Sequence, residues 1–167
     1  MLRGRAVSLR PMTAADLPWL EWLFAVPEVA EAWPGDNMRS MREMVEGADP
    51  TAGFVVACDG EDIGFIQYYE EADPDYRHAG IDIVLHPDRC DRGLGTDALR
   101  TLARHLFDER GHHRIMIDPH VGNARAIASY RKVGFRDVGV MRRYERANDG
   151  VWRDALLMDL LAGELQG

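Results

Sequence analysis

The segment that most restricts the fold is Arg92-Gly93-Leu94-Gly95-Thr96, which stands between an apolar stretch and an amphipathic one. Before it, Ala79-Gly80-Ile81-Asp82-Ile83-Val84-Leu85 is β-branched and apolar apart from one carboxylate, the composition of a buried strand. After it, Leu99, Leu102, Ala103, Leu106 and Phe107 fall on one helical face, and Gly111 is placed to end that helix. A glycine loop at such a junction turns free backbone N–H groups outward at the positive end of a helix dipole, which makes an anion site. The glycines let a ligand approach the main chain closely, and Thr96 is placed to cap the helix and to offer a hydroxyl to a phosphate oxygen. The loop alone also reads as a plain turn and cap. A dinucleotide-binding loop would carry a third glycine where Ala98 stands, and a P-loop would carry Gly-Lys-Ser/Thr, which the chain lacks.

The remaining segments order themselves around this strand, loop and helix. Ala6 to Pro11 alternates as a strand, and Thr13 with Asp16 forms a capping signature for a helix holding Leu17, Leu20, Leu23 and Phe24. Pro27 to Asp36, with two prolines, Gly35 and Trp33, reads as a loop or broken helix, followed by a short helix from Ser40 to Glu46. Phe54 to Cys58 and Ile63 to Tyr69 flank Asp59-Gly60, a type I′ hairpin turn, and the acidic stretch Glu70 to Arg77 connects onward. Ile115-Met116-Ile117 is a short buried strand leading to Asp118-Pro119. Asn123 opens a helix that runs through Tyr130 and stops at Gly134. Phe135 to Tyr144 and Val151 to Asp159 form a closing hairpin around Asn148-Asp149-Gly150. The order is β-α-α-β-β-β-α-β-α-β-β without repeat or linker, so the expected fold class is α/β, one domain over residues 1–167 with a central mixed sheet flanked by helices.

Composition narrows the partners. With 28 acidic and 20 basic residues the net charge is −8, a field that repels nucleic acid and anionic membranes and attracts cations. A cationic small-molecule amine is the expected partner. Cys58 and Cys90 give neither a disulfide framework nor metal-ligand spacing, so a reducing, cytoplasmic setting is expected. The basic start, Met1 to Arg5, leads into an alternating segment and not into an apolar signal core. His86, His112, His113 and His120 form no ligand set, read as surface or loop residues, and leave no metal expected.

Asn123-x-x-Ala126-x-x-x-Tyr130-x-Lys132-x-Gly134-Phe135 resembles the second cofactor motif of the GNAT N-acetyltransferase superfamily. The glycine loop resembles that superfamily's pyrophosphate motif, Q/R-x-x-G-x-G/A, with Cys90 departing from it at the first position, and the element order matches over nearly the whole chain. The resemblance implies acetyl-CoA as co-substrate and no metal. It implies that the fourth and fifth strands splay and that a pantetheine arm bonds the main chain at Ile83, Val84 and Leu85. It places the phosphates at Arg92, Gly93, Leu94, Gly95 and Thr96, with Asn123 on the pantetheine and the Tyr130 hydroxyl beside the thioester sulfur. From the residues alone, Asn123 also reads as a helix cap and Tyr130 as a core tyrosine.

Gly80-Ile81-Asp82, Asp118-Pro119 and Arg125-Ala126-Ile127, taken with the motifs above, are similar to the bacterial aminoglycoside 6′-N-acetyltransferases. Trp33 and Ile66-Gln67-Tyr68-Tyr69 fall where that group keeps substrate contacts. The resemblance implies acetyl transfer to a 6′-amine, as in antibiotic resistance, with Asp82 and Tyr130 at the reacting atoms and Trp33, Gln67, Tyr69, Asp82, Asp118 and Asp149 on the acceptor. Carboxylates, amides and a flat aromatic wall suit a hydroxylated polycation. Bland readings stand beside these: Asp118 and Asp149 as turn residues, Trp33 as core. Asp82 resists one, because an ionised carboxylate in such a strand is costly to bury unless a cation meets it. Competing functions are acetylation of a protein N-terminus or lysine, acylation of a siderophore-type lysine derivative, and a silent CoA-binding sensor. The sensor gives no reason for Asp82 and Tyr130 to occur together, and the oligomeric state stays open between monomer and homodimer.

Overall fold

The strand-forming segments pair into one eight-stranded sheet in the computed structural model, which describes residues 1–167. The strands are β1 (Leu2–Arg3), β2 (Ser8–Pro11), β3 (Ala52–Cys58), β4 (Glu61–Glu71), β5 (His78–Leu85), β6 (Arg114–Ile117), β7 (Arg136–Arg146) and β8 (Trp152–Leu161). Their order is β1-β2-β3-β4-β5-β6-β8-β7, antiparallel throughout except for β5 with β6. Helices α1 (Leu17–Phe24), α2 (Pro27–Ala32) and α3 (Asn37–Val45) join β2 to β3, α4 (Leu94–Arg104) follows β5, and α5 (Ala124–Val133) follows β6.

Register on β4 and β5 fixes which side chains share a face. Phe65 lies opposite Val84, Gln67 opposite Asp82 and Tyr69 opposite Gly80, so all six belong to one face of the sheet. That face carries α1 to α3, through Leu20, Leu23, Phe24, Val29 and Met41 packed with Phe65 and Val84. Ile66 and Ile81 join a larger core with Leu99, Leu102, Leu106 and Ile127 of the α4 and α5 side. Burying each such side chain contributes about 1.5–3 kcal/mol.

Beyond Ile117 the sheet opens. Pro119 has no N–H to give, and its carbonyl accepts from Leu156 N (2.8 Å), while Val121 N donates to the Asp154 carbonyl (3.1 Å). The chain therefore leans onto β8. β5 and β6 pair only at Ala79 with Ile115 and Gly80 with Met116, leaving the stretch from Ile81 to Leu85 without a partner on that side. This is the expected splay, one strand later in the count because β1 is present.

Several local expectations are corrected. Gly93 caps α4 at φ +76°, so Thr96 lies inside the first turn and is not the cap. α3 starts at Asn37, three residues before the expected Ser40, because the Asp36 side chain accepts from Arg39 N (3.2 Å). His112 is not a surface residue: it is buried, with Nε2 2.6 Å from Glu70 Oε1, and Arg110 holds the same carboxylate at 2.6 Å. His86 stacks flat on the Trp22 ring at 5.1 Å. No helix is long and apolar enough to cross a membrane.

β1 was not expected from sequence because a distant carboxylate holds the segment after it. Asp97, buried in the first turn of α4, accepts from the backbone N–H groups of Arg5 (3.1 Å), Ala6 (2.8 Å) and Val7 (3.1 Å). Removing that acceptor leaves three donors unsatisfied, so Asp97→Ala is expected to lose about 2–3 kcal/mol of stability, read by urea unfolding. Unchanged stability would show that water replaces the carboxylate without cost.

Candidate active site

The gap beside β5 opens a cleft of about 320 Å³ that runs through the sheet from the α4–α5 face to the α2 face. At one end lie Gly93, Gly95 and Thr96, whose helix start leaves backbone N–H groups without intrahelical acceptors. A Cβ at Gly93 would meet nothing within 4 Å, and at Gly95 only the tip of Leu85 at 3.4 Å, so the main chain is open to a ligand. Arg125 and Lys132 line the same end, with Arg125 3.9 Å from Asp91. Bare N–H groups, a helix dipole and two cations suit a pyrophosphate. Arg92 is exposed and does not line the cleft, and the Leu94 side chain is buried in the core, so Leu94 offers main chain only.

In the middle, Ile83, Val84 and Leu85 line the cleft on the unpaired edge of β5. Asn123 lines it too while capping α5, its Oδ1 accepting from Ala126 N at 3.2 Å, so both of its readings hold in the geometry. Tyr130 reaches the cleft from α5 with only 7% of its surface exposed and no hydrogen bond within the protein. Burial first, then the charges of Asp82 and Asp118, drive its phenol pKa far above the ordinary 10. A phenol held so far above its ordinary value is a hydrogen-bond donor first and a proton donor second.

The other end is acidic. No cation meets Asp82. Its Oδ2 accepts from Gln67 Nε2 at 3.0 Å. Desolvation pushes the Asp82 pKa up to about 6, the Gln67 amide opposes it, and the Asp118 charge adds to it. Asp118 Oδ2 accepts from the Tyr144 hydroxyl at 2.9 Å, and burial with the Asp118 charge lifts that phenol to about 12. Gln67 and Tyr69 do not line the cleft; they back Asp82 from the neighbouring strand. The Tyr69 ring lies over Gly80, where a Cβ would sit 2.1 Å from Cζ, so only glycine fits. Trp33 packs edge-on against Phe24 at 5.4 Å and also lines the cleft, which makes it core and wall together.

Asp149 is corrected to its turn reading. It lies outside the cleft, its carboxylate bound to Arg153 Nη2 (2.6 Å) and Val151 N (2.9 Å). The neighbouring Asn148 reaches across instead, accepting from Gly35 N (3.1 Å) and donating to the Ala30 carbonyl (2.9 Å), so the hairpin tip is tied to the α2 side. Glu28 and Glu145 also line the cleft. Sequence reasoning missed Glu145, Tyr144 and Asn148 because nothing local distinguishes them from ordinary hairpin residues; Arg125 and Lys132 lay within a quoted motif and carried a usable signal, their positive charge.

Residues 7–136 match the acetyltransferase (GNAT) domain family. The chain belongs to that family. Among curated relatives, aminoglycoside N(6′)-acetyltransferase type 1 of Klebsiella pneumoniae is 32% identical over 157 residues, covering 81% of this chain and 77% of the relative. Spermidine N(1)-acetyltransferase of Escherichia coli is 27% identical over 164 residues, covering 95% and 87%. The aminoglycoside acetyltransferase AAC(6′)-Ib in complex with coenzyme A and kanamycin matches this GNAT domain with a TM-score of 0.77 at 28% identity, covering 95% of this chain and 96% of that one. This GNAT protein is an acetyl-CoA-dependent N-acetyltransferase.

The raised Asp82 pKa fixes a stability prediction. Because the folded value lies above the ordinary 3.8, the contribution of protonated Asp82 is fully present below about pH 4 and is lost as pH rises through about 6. Asp82→Asn carries no such loss. The variant should match wild type near pH 4 and exceed it by about 1–2 kcal/mol at pH 8, less than the full linkage value because the cleft admits water. Urea unfolding across that range checks it, and a difference independent of pH would overturn it.

Proposed function

We propose that this acetyltransferase transfers acetyl to the 6′-amine of aminoglycosides, with Asp82 and Tyr130 at the reacting atoms. The observation that carries the reading is a cleft with opposite ends: N–H groups and cations around the glycine loop, and the unneutralised carboxylates Asp82 and Asp118 at the far wall. A polycationic acceptor completes the acidic end, and an aromatic wall that includes Trp33 suits a sugar ring. The similarity to aminoglycoside acetyltransferases supports the same choice. Polyamine acetylation is the competing reading, favoured by the spermidine acetyltransferase relative.

Acetyl-CoA, when bound, supplies an acyl carbon made electrophilic by its thioester. Gly93, Gly95 and Thr96 with Arg125 and Lys132 would hold its phosphates, and the free edge of β5 would hold its extended arm. Main-chain N–H groups of that edge also stabilise negative charge developing on the acyl oxygen. The acceptor arrives as an ammonium ion. Asp82 orients it and takes or relays its proton, and a carboxylate near pH 6 is a better match to that task than one at the ordinary 3.8. The freed lone pair forms the carbon–nitrogen bond as the carbon–sulfur bond breaks, and the second proton that the nitrogen sheds goes to the departing thiolate. Tyr130 donates a hydrogen bond to the leaving sulfur; its raised pKa makes full proton transfer costly, so thiolate stabilisation is its main contribution.

Mass spectrometry and thiol release with acetyl-CoA and kanamycin test the reading, with a single acetyl expected on the 6′-amine and none on a 6′-hydroxyl analogue. Asp82→Asn should lower kcat/KM by about 100-fold, and Tyr130→Phe should lower kcat about tenfold with little change in KM. Activity should rise with pH through about 6 as Asp82 ionises. Acetylation of spermidine alone would move the assignment to polyamines. Gly95→Asp, which sets a carboxylate against the phosphates, should abolish the thermal shift produced by acetyl-CoA. A retained shift would remove the glycine loop from the binding site.

A further inference from the structure

The connection between β6 and α5 forms a wall of the cleft and holds a histidine with no role in the chemistry above. His120 is half-buried and lines the cleft, as do Asp118 and Asn123 on either side of it in the chain. The backbone here is bridged to Ala155 of β8, so His120 stands roughly 7 Å along this wall from Asp118.

The turn that follows seats the imidazole. Gly122 N donates to His120 Nδ1 at 3.1 Å, which makes Nδ1 an acceptor and leaves the hydrogen of the neutral ring on Nε2. A Cβ on Gly122 would stand 2.8 Å from Cε1 of that ring and 3.0 Å from Nδ1, so the imidazole fills the space a side chain would take. Gly122 does not adopt a positive φ, and room for the ring is therefore what its missing side chain supplies. Nε2 has no partner within the protein and is left free to donate.

The main chain of this wall is largely spent. The Pro119 carbonyl accepts from Leu156 N at 2.8 Å, Val121 N donates to the Asp154 carbonyl at 3.1 Å, and the His120 carbonyl accepts from Asn123 N at 2.9 Å. A ligand on this side is therefore met mainly by side chains. Asp118 accepts a bond from Tyr144, and Asn123 Oδ1 is used on Ala126 N, which leaves Asn123 Nδ2 and His120 Nε2 as the neutral donors. The arm of acetyl-CoA carries a pair of amides. Where such an arm pairs along the free edge of β5, a carbonyl turned away from β5 faces this wall, and leaving it without a donor would cost affinity. We propose that His120 binds acetyl-CoA, its Nε2–H donating to an amide carbonyl of the arm, with Gly122 holding the ring in place for that bond. The inference rests on the placement of the arm along β5 and the phosphates at the glycine loop, and not on the identity of the acceptor.

Calorimetry with CoA, and displacement of CoA by 3′-phospho-ADP, which has the phosphates and no arm, test it. His120→Ala should weaken CoA about three- to tenfold, the worth of one neutral hydrogen bond, and leave 3′-phospho-ADP unchanged. His120→Gln, which keeps a neutral donor, should recover part of the loss. Gly122→Ala, which pushes the ring aside without removing it, should reproduce the loss and add nothing to it in the double variant. Unchanged CoA affinity in His120→Ala and Gly122→Ala would overturn the inference. So would equal weakening of both ligands, which marks a structural role for the turn, or a loss that His120→Gln does not lessen. Gly95→Asp separates the two readings. If it abolishes CoA binding while His120→Ala has no effect, the placement stands and the His120 bond falls; if it retains CoA binding, the placement falls and the bond with it.

Discussion

The function of this chain depends on hydrogen bonds that β5 does not make. Backbone groups in a sheet are rarely left without partners, and a central strand half-open along its length needs a cause. The cause is at Pro119, where the missing N–H and the bonds to Leu156 and Asp154 commit the chain to β8. The sheet remains continuous at Ala79 and Gly80, so the opening is a wedge held rigidly at its narrow end. An extended ligand can pair with the free edge as a strand would, while both faces of the sheet stay in reach.

That wedge also explains how residues from opposite faces meet. Asp82 and Gln67 belong to the face covered by α1 to α3, whereas Tyr130 belongs to a helix on the other. They share one cleft because it passes through the sheet. Charge follows the same axis: N–H groups and cations sit by the glycine loop, carboxylates by the far wall. On the proposed reading, the separation would orient a substrate pair of opposite charge, an anionic acyl carrier and a cationic amine, before any chemistry occurs.

Burial sets the chemistry of the acidic end. A carboxylate bonded only to an amide is cheap to protonate and costly to ionise, which brings Asp82 to about 6. The same low-dielectric surroundings raise the Tyr130 phenol, which is the complementarity that the proposed roles of the two groups draw on.

Much of this was legible in the sequence. The glycine loop, the amphipathic helix after it, the Asp59-Gly60 hairpin and the Asn123 cap are local features, each decided within a few residues by dihedral freedom, periodicity or a side-chain bond to a nearby N–H. The anomaly of Asp82 was visible too, because a charge in a β-branched strand contradicts its surroundings wherever the strand ends up. Local pattern therefore sufficed for most of the elements, for the glycine loop at the start of α4 and for the suspect carboxylate. Contacts far apart in sequence were needed to show that Asp97 pins the N-terminal segment, that His112 is buried beside Glu70, and that Tyr144 bonds Asp118 while Glu145 lines the cleft. Each of those depends on a partner many residues away or, for β7, on a bulge forced by pairing with β8. The energy of such contacts is set by distance in space, which local pattern does not encode.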